Sequence, residues 1–312
     1  MKRKIIQIAN STQLVSLPRE WAKLNNIKKG DEVEVAVTEK GILVSLSEQE
    51  KPMKKIQIQI PEGVSPQLII SALYKGGFDE IHLRLKDSDT VHAAQRFVSN
   101  NCVGLEVIEQ GKDFLVLKKI SDSIHSEFDS VLKRLIIFVD AMSSETYAAA
   151  KNNDIAGYKS VIAMDENVNK FAYFCMRMLN KHPESRKDPI GPLYHIIDQL
   201  EEIADSYKGL CEGLTKITKV KPSVAVVLKE LNEYVHSALH ALSTKKLADA
   251  NKLPTLSSIT RNSIEKAAGS GGDDVIQKSY LLSIARAIRG ITSPIVLTIF
   301  LHQEYNSETL LK

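Results

Sequence analysis

The feature that most limits how this chain can fold is the punctuation of its last two thirds. From residue 121 onward apolar residues recur with the 3.6-residue period of an α-helix, over stretches of roughly 20 to 30 residues. The stretches are divided at 182-HPESRKDP-189, Lys221-Pro222, Leu253-Pro254 and 269-GSGG-272. Proline there removes a backbone donor, and glycine removes the steric restraint that keeps a residue helical. Helices are expected near 122–151, 154–181, 190–217, 221–251, 256–269 and 274–305, an all-α region that divides into two sets of three. Asp154, after Asn153, is expected to cap the second helix.

The residues before it follow a different pattern. Residues 2 to 47 alternate as strands do, through KIIQIA, QLVSLP and GDEVEVAVTEKGILVSL, with a short amphipathic helix at REWAKLNN. Pro18 precedes the helix, and Gly30-Asp31 and Lys40-Gly41 mark turns. A unit this small in thin hairpins cannot bury much of a core, so it is expected to interlock with a second copy. After the polar linker 48-SEQEKPMK-55, the order strand, helix, strand, helix, hairpin predicts a small α/β domain. Gly76-Gly77 reads as a helix stop. The chain is thus expected to be a multidomain α+β protein divided as 1–47, 54–120 and 121–312.

Composition excludes some functions and assigns none. The 312 residues carry a net charge of +3, too little to name a partner. The apolar run 295-IVLTIFL-301 is far short of the ~20 residues of a membrane span, and the N-terminus lacks a signal peptide's apolar core, so the protein is expected in the cytoplasm and not inserted in a membrane. Cys102, Cys175 and Cys211 have no paired spacing and read as small buried or half-buried residues. No Gly-rich phosphate loop is found over 54–120, no interpretable Ser/His/Asp or Cys/His set occurs, and His82 and His92 read as structural. The chain is not expected to be an enzyme.

Two features do point toward function. On the helix containing 198-DQLEEIADSYKGLCEG-213, Asp198, Glu201, Glu202 and Asp205 fall in one arc of roughly 100°, with Lys208 at its edge. Like charges at this spacing repel, so a metal ion, a basic partner or solvent counterions are expected to face them. On the preceding helix Asp165 and Asn169 sit among Val161, Ile162, Val168, Ala172 and Met176 and are expected to point inward, where a carboxylate needs a donor or a cation. LEEIAD at 200–205, preceded by LYHIID, and MDENVN at 164–169 resemble the paired signatures of PhoU-type phosphate-transport regulators. The resemblance covers about 121 to 305 and implies two three-helix bundles. It also implies a divalent metal, Fe, Mn, Zn or Mg, held by Asp165, Asn169, Glu201 and Asp205, with Asp198 and Glu202 as additional candidates. In the second repeat Arg289 and Ser293, with Arg286 nearby, stand where the carboxylates would be, so no cation site is expected there.

The second feature is at the front. Residues 1 to 55 hold eleven basic and seven acidic residues, a net charge of about +4. NSTQLVSLPREWAKLNNIKKGDEVEV at 10–35 is similar to the AbrB/SpoVT swapped-hairpin DNA-binding domains, with Gln13 where their pattern has glycine. That resemblance implies an interlaced homodimer contacting double-stranded DNA through Lys2, Arg3, Lys4, Ser11, Thr12 and Arg19, with Trp21 more in keeping with a core than with base stacking. Together the two halves resemble fused AbrB–PhoU regulators, which implies a transcription regulator of phosphate uptake. The alternative is an adaptor that uses the hairpins only to dimerise and holds a phosphate ABC transporter or a phosphate-sensing kinase by protein contacts.

Overall fold

A computed structural model of the chain describes residues 2–8, 12–38, 41–46, 53–120, 127–183, 189–267 and 272–302. It divides into two compact units, Met1–Met53 and Lys54–Lys312.

The first unit contains two antiparallel hairpins. Strand β1 (Ile6–Ile8) pairs with β2 (Thr12–Leu14), Ile6 opposite Leu14 and Ile8 opposite Thr12. Strand β3 (Val33–Thr38) pairs with β4 (Gly41–Leu46). Between them lies helix α1 (Arg19–Leu24), entered through Pro18 and left through Asn26 at φ 53°. Asp31 fixes the next turn by accepting from the Lys28 N–H at 2.7 Å. Among the residues from 2 to 46 whose exposure is described, none is buried, Trp21 being half-buried. Isolated two-stranded hairpins are at best marginally stable in water.

The second unit begins with a four-stranded sheet, ordered β5-β6-β8-β7 from β5 (Lys55–Gln59), β6 (Glu80–Arg84), β7 (Leu105–Gln110) and β8 (Phe114–Lys119). The β5–β6 pair is parallel, as its crossover helix α2 (Pro66–Lys75) requires, and the other pairs are antiparallel. Alternation sends Ile81 and Leu83 into the core and leaves His82 and Arg84 on the other face. Gly76 ends α2 and Gly77 takes φ +81°, a conformation that costs glycine least. Helix α3 (Ser88–Asn101) starts at Asp87, whose carboxylate accepts from the Thr90 N–H.

The helical region comprises α4 (Phe128–Asn152), α5 (Ile155–Lys181), α6 (Ile190–Leu214), α7 (Pro222–Thr244), the one-turn α8 (Leu247–Ala250), α9 (Leu253–Ala267) and α10 (Gly272–His302). Helices α4, α5 and α6 pack on one another, α9 packs on α7 and α10, and the α6–α10 and α4–α7 contacts join the two sets over one continuous apolar core. The helix expected over 221–251 instead breaks at Lys245, which adopts φ 52°. The break is held locally by Thr244 Oγ1 donating to Asp249 Oδ2 at 2.7 Å. Leu253-Pro254 opens α9 rather than preceding it, because a proline in the first turn needs no N–H partner. The start expected at 122 lies outside the described residues.

One sequence expectation is revised by α10. Its Asp274–Leu301 stretch, with a mean hydropathy of 1.5 in its most apolar window, is long and apolar enough to cross a membrane by length and composition, which the seven-residue run alone did not indicate. A core helix passes the same test, and Leu281, Ile284, Ile288, Ile291, Ile295 and Ile299 of α10 are buried in the shared core. All three cysteines are buried, and none forms a disulfide.

Candidate functional site

In the first unit, each basic candidate that is described is exposed. Lys2, Arg3 and Lys4 precede β1, and Arg19 opens α1. Thr12 opens β2 at the loop end of the first hairpin, whereas Lys2 to Lys4 lie beyond its open end. A single hairpin therefore separates these candidates; it does not gather them into one patch. Ser11 lies outside the described residues. The apolar residues are as exposed as the basic ones: Ile6 is 57% accessible, Ile8 52%, Val35 59% and Ile42 68%. That is the surface of a unit whose core needs further atoms to close it.

In the second unit, α5 and α6 bring the two acidic motifs together. Val161, Val168, Ala172 and Met176 are buried, and the helical period carries Asp165 inward with them to 3% exposure. Lys208 places its ammonium 2.7 Å from Asp165 Oδ2 and 3.9 Å from Asp205 Oδ1. Asn169 donates through Nδ2 to the same Asp165 oxygen at 3.2 Å, and the Tyr173 hydroxyl donates to Glu201 Oε1 at 3.4 Å. Glu202 accepts from Ser283 Oγ of α10 at 3.1 Å, and Asp198 is exposed. Burial, then the charge of Asp205, pushes Glu201 up to about 7, with Lys75 of α2 pulling the other way. Burial, then the charge of Asp165, pushes Asp205 up to about 6 against the pull of Lys208.

The fit of these residues to a metal ion is mixed. Two buried oxygens, Asp165 Oδ1 and Asn169 Oδ1, have no hydrogen-bond donor, which is what a cation would relieve. Against that, Lys208 already supplies a positive charge to the two aspartates. Among the described residues no three His, Cys, Asp or Glu side chains are grouped so as to hold a metal ion. As arranged, the donor set fits an internal ammonium, and a divalent ion would first have to displace it.

Sequence reasoning missed a third cluster, in which α5 grips the sheet domain. Arg177 of α5, 3% exposed, donates to the carbonyls of Tyr74 at 3.0 Å and Phe78 at 2.6 Å, and pairs with Asp79 Oδ1 at 2.9 Å. Lys181 also pairs with Asp79, and Lys119 lies 4.0 Å away. Burial would raise the Asp79 pKa, but the hydrogen bonds from Lys181 and the Lys54 N–H, with the charges of Lys181 and Arg177, together hold the carboxyl below its ordinary value. A buried arginine with three acceptors is positioned to fix domain geometry rather than to bind a ligand. The one available signal was Arg177 itself, a charge on the apolar stripe of an otherwise well-patterned helix.

Residues 6–57 match the family described as antidote-toxin recognition MazE, bacterial antitoxin. No curated protein matches the chain. The match covers the hairpins and the linker and leaves the helical region untouched, so what it establishes is that the chain begins with a domain of the MazE/AbrB type, a type consistent with DNA-binding regulation.

Proposed function

We propose that the chain is a homodimeric DNA-binding transcription regulator of phosphate uptake, acting by binding rather than catalysis, with the helical region as a PhoU-like sensor. The observation that carries the DNA-binding part is the first unit: a MazE/AbrB-type domain with no buried residue among those described and with exposed Lys2, Arg3, Lys4 and Arg19. Pairing two copies would close its apolar surface and bring two separated sets of cations onto one face. Support for the sensor part is the resemblance of LEEIAD and MDENVN to the PhoU signatures, together with their adjacency across α5 and α6.

The test is fluorescence anisotropy of the full chain with operator-like and random duplexes over a salt series. Binding is expected to weaken linearly in log affinity against log salt. The triple change Lys2→Ala, Arg3→Ala, Arg19→Ala is expected to abolish it. No binding and no salt slope would overturn the proposal.

A second reading is favoured by the description of the matched family as one of antidote-toxin recognition, a matter of protein contacts. In that reading the chain is an adaptor that uses the hairpins only to dimerise and holds a phosphate ABC transporter or a phosphate-sensing kinase by protein contacts, and the triple variant keeps its partner.

A further inference from the structure

The second half of the helical region gathers arginines between α9 and α10. On α9, Ser257, Arg261 and Glu265 follow one another at i, i+4 and i+8; on α10, Arg286 and Arg289 lie at i and i+3. Each set forms one stripe of its helix. Because α9 packs on α10, the stripes face one another and line a cleft of about 220 Å³ with Leu282 in its wall. Its one carboxylate, Glu265, is held by Arg261 Nε at 3.0 Å. Arg286 and Arg289 are exposed and have no ion-pair partner among the described residues. Behind the cleft the Tyr234 hydroxyl is wholly buried without a hydrogen bond of normal geometry, beside Ser257 and Arg289.

Three guanidiniums around one carboxylate leave an excess of positive charge in a concave place. Two of them are unspent donors. Guanidinium forks match the oxygens of a phosphoryl group bidentately, and a serine hydroxyl can donate one bond more. The cleft is large enough for a small oxyanion and too small for a duplex.

We propose that the α9–α10 cleft is an oxyanion-binding site that takes inorganic phosphate or the phosphoryl group of a small phosphomonoester. Arg286 and Arg289 are its principal donors, and Glu265 competes with the ligand for Arg261. Binding there does not depend on DNA binding by the first unit, so either can fail while the other stands.

The experiment is isothermal titration of the full chain with inorganic phosphate and with glycerol 3-phosphate at fixed ionic strength, with chloride as the control. One saturable site per chain is expected for at least one of the two ligands, and the tighter of them identifies the source. Arg286→Gln and Arg289→Gln are each expected to weaken it by about tenfold or more, as loss of a charge-assisted bond does. Glu265→Gln is expected to tighten it, an outcome that damage to the fold cannot produce. The proposal is overturned if neither ligand saturates, if chloride gives the same response, or if the arginine variants bind as well as the native chain while their circular dichroism melts are unchanged. It is equally overturned if these arginines bind duplex DNA and neither small ligand.

Discussion

Lys208 and Glu201 lie two turns apart on α6 and act on the acidic cluster in opposite senses. Lys208, its pKa raised by the bond to Asp165 despite burial, stays charged throughout the neutral range and contributes equally at every pH within it. Glu201 and Asp205 are the groups that titrate there. Their folded-state values, about 7 and about 6, lie above those of the unfolded chain, so folding favours their protonated forms. The stabilisation this provides is complete below the ordinary carboxylate pKa and is lost as pH rises through 6 and 7. Urea denaturation is therefore expected to show the cluster's contribution falling between about pH 4 and pH 7. Glu201→Gln should flatten that slope relative to the native chain; an unchanged slope would place the titration elsewhere. The inward turn of Asp165 and Asn169 was legible in the sequence because the helical period fixes which residues share a face. The partnership with Lys208 was not, since periodicity places a residue on its own helix and says nothing about which side chain a neighbouring helix offers it. Arg177 escaped for the same reason: its acceptors are 98 to 103 residues away in sequence.

Helix ends were easier to read than helix contacts. Asn153 takes φ 52° and Asp154 caps α5 by accepting from the Ala156 N–H at 2.9 Å, as Asn-Asp between two periodic stretches indicated. A few residues further on, Gly157 carries a constraint with no local signature. A Cβ at this position would lie 2.8 Å from the Ala149 Cβ and 3.2 Å from the capping Asp154 Oδ2, so α4 and α5 approach here closely enough to exclude a methyl group. Alanine gains roughly 1 kcal/mol over glycine in an open helix interior, less in the first turn, whereas overpacking costs about 1–3 kcal/mol. Gly157→Ala is thus expected to lower stability, by roughly 1 kcal/mol net, and a higher urea midpoint would show that the helices can separate freely. The break at Lys245 was illegible because a lysine in a left-handed conformation carries no mark in its sequence; the proline and glycine boundaries do.

For the whole molecule, the two units stand in contrast. Residues 54 to 302 hold every residue of both apolar cores, while the described residues from 2 to 46 contribute none. The alternation of the N-terminal strands and the shortage of core were both readable from sequence, and they led to the expectation of a dimer that the MazE/AbrB-type match supports. If two copies supply each other's core, unfolding of the first unit is linked to association, and its melting temperature rises with protein concentration. Calorimetry over a hundredfold dilution series should show a low-temperature transition that moves, alongside a main helical transition that stays fixed. Two fixed transitions would mean that the hairpins fold alone. If the first unit is the DNA-binding clasp proposed above, a core assembled from two chains would also make it a product of second-order chemistry. Halving the amount of chain in a cell would, in the dilute limit, quarter the number of competent clasps, so that gene dosage itself becomes a signal, sensed before any ligand is bound.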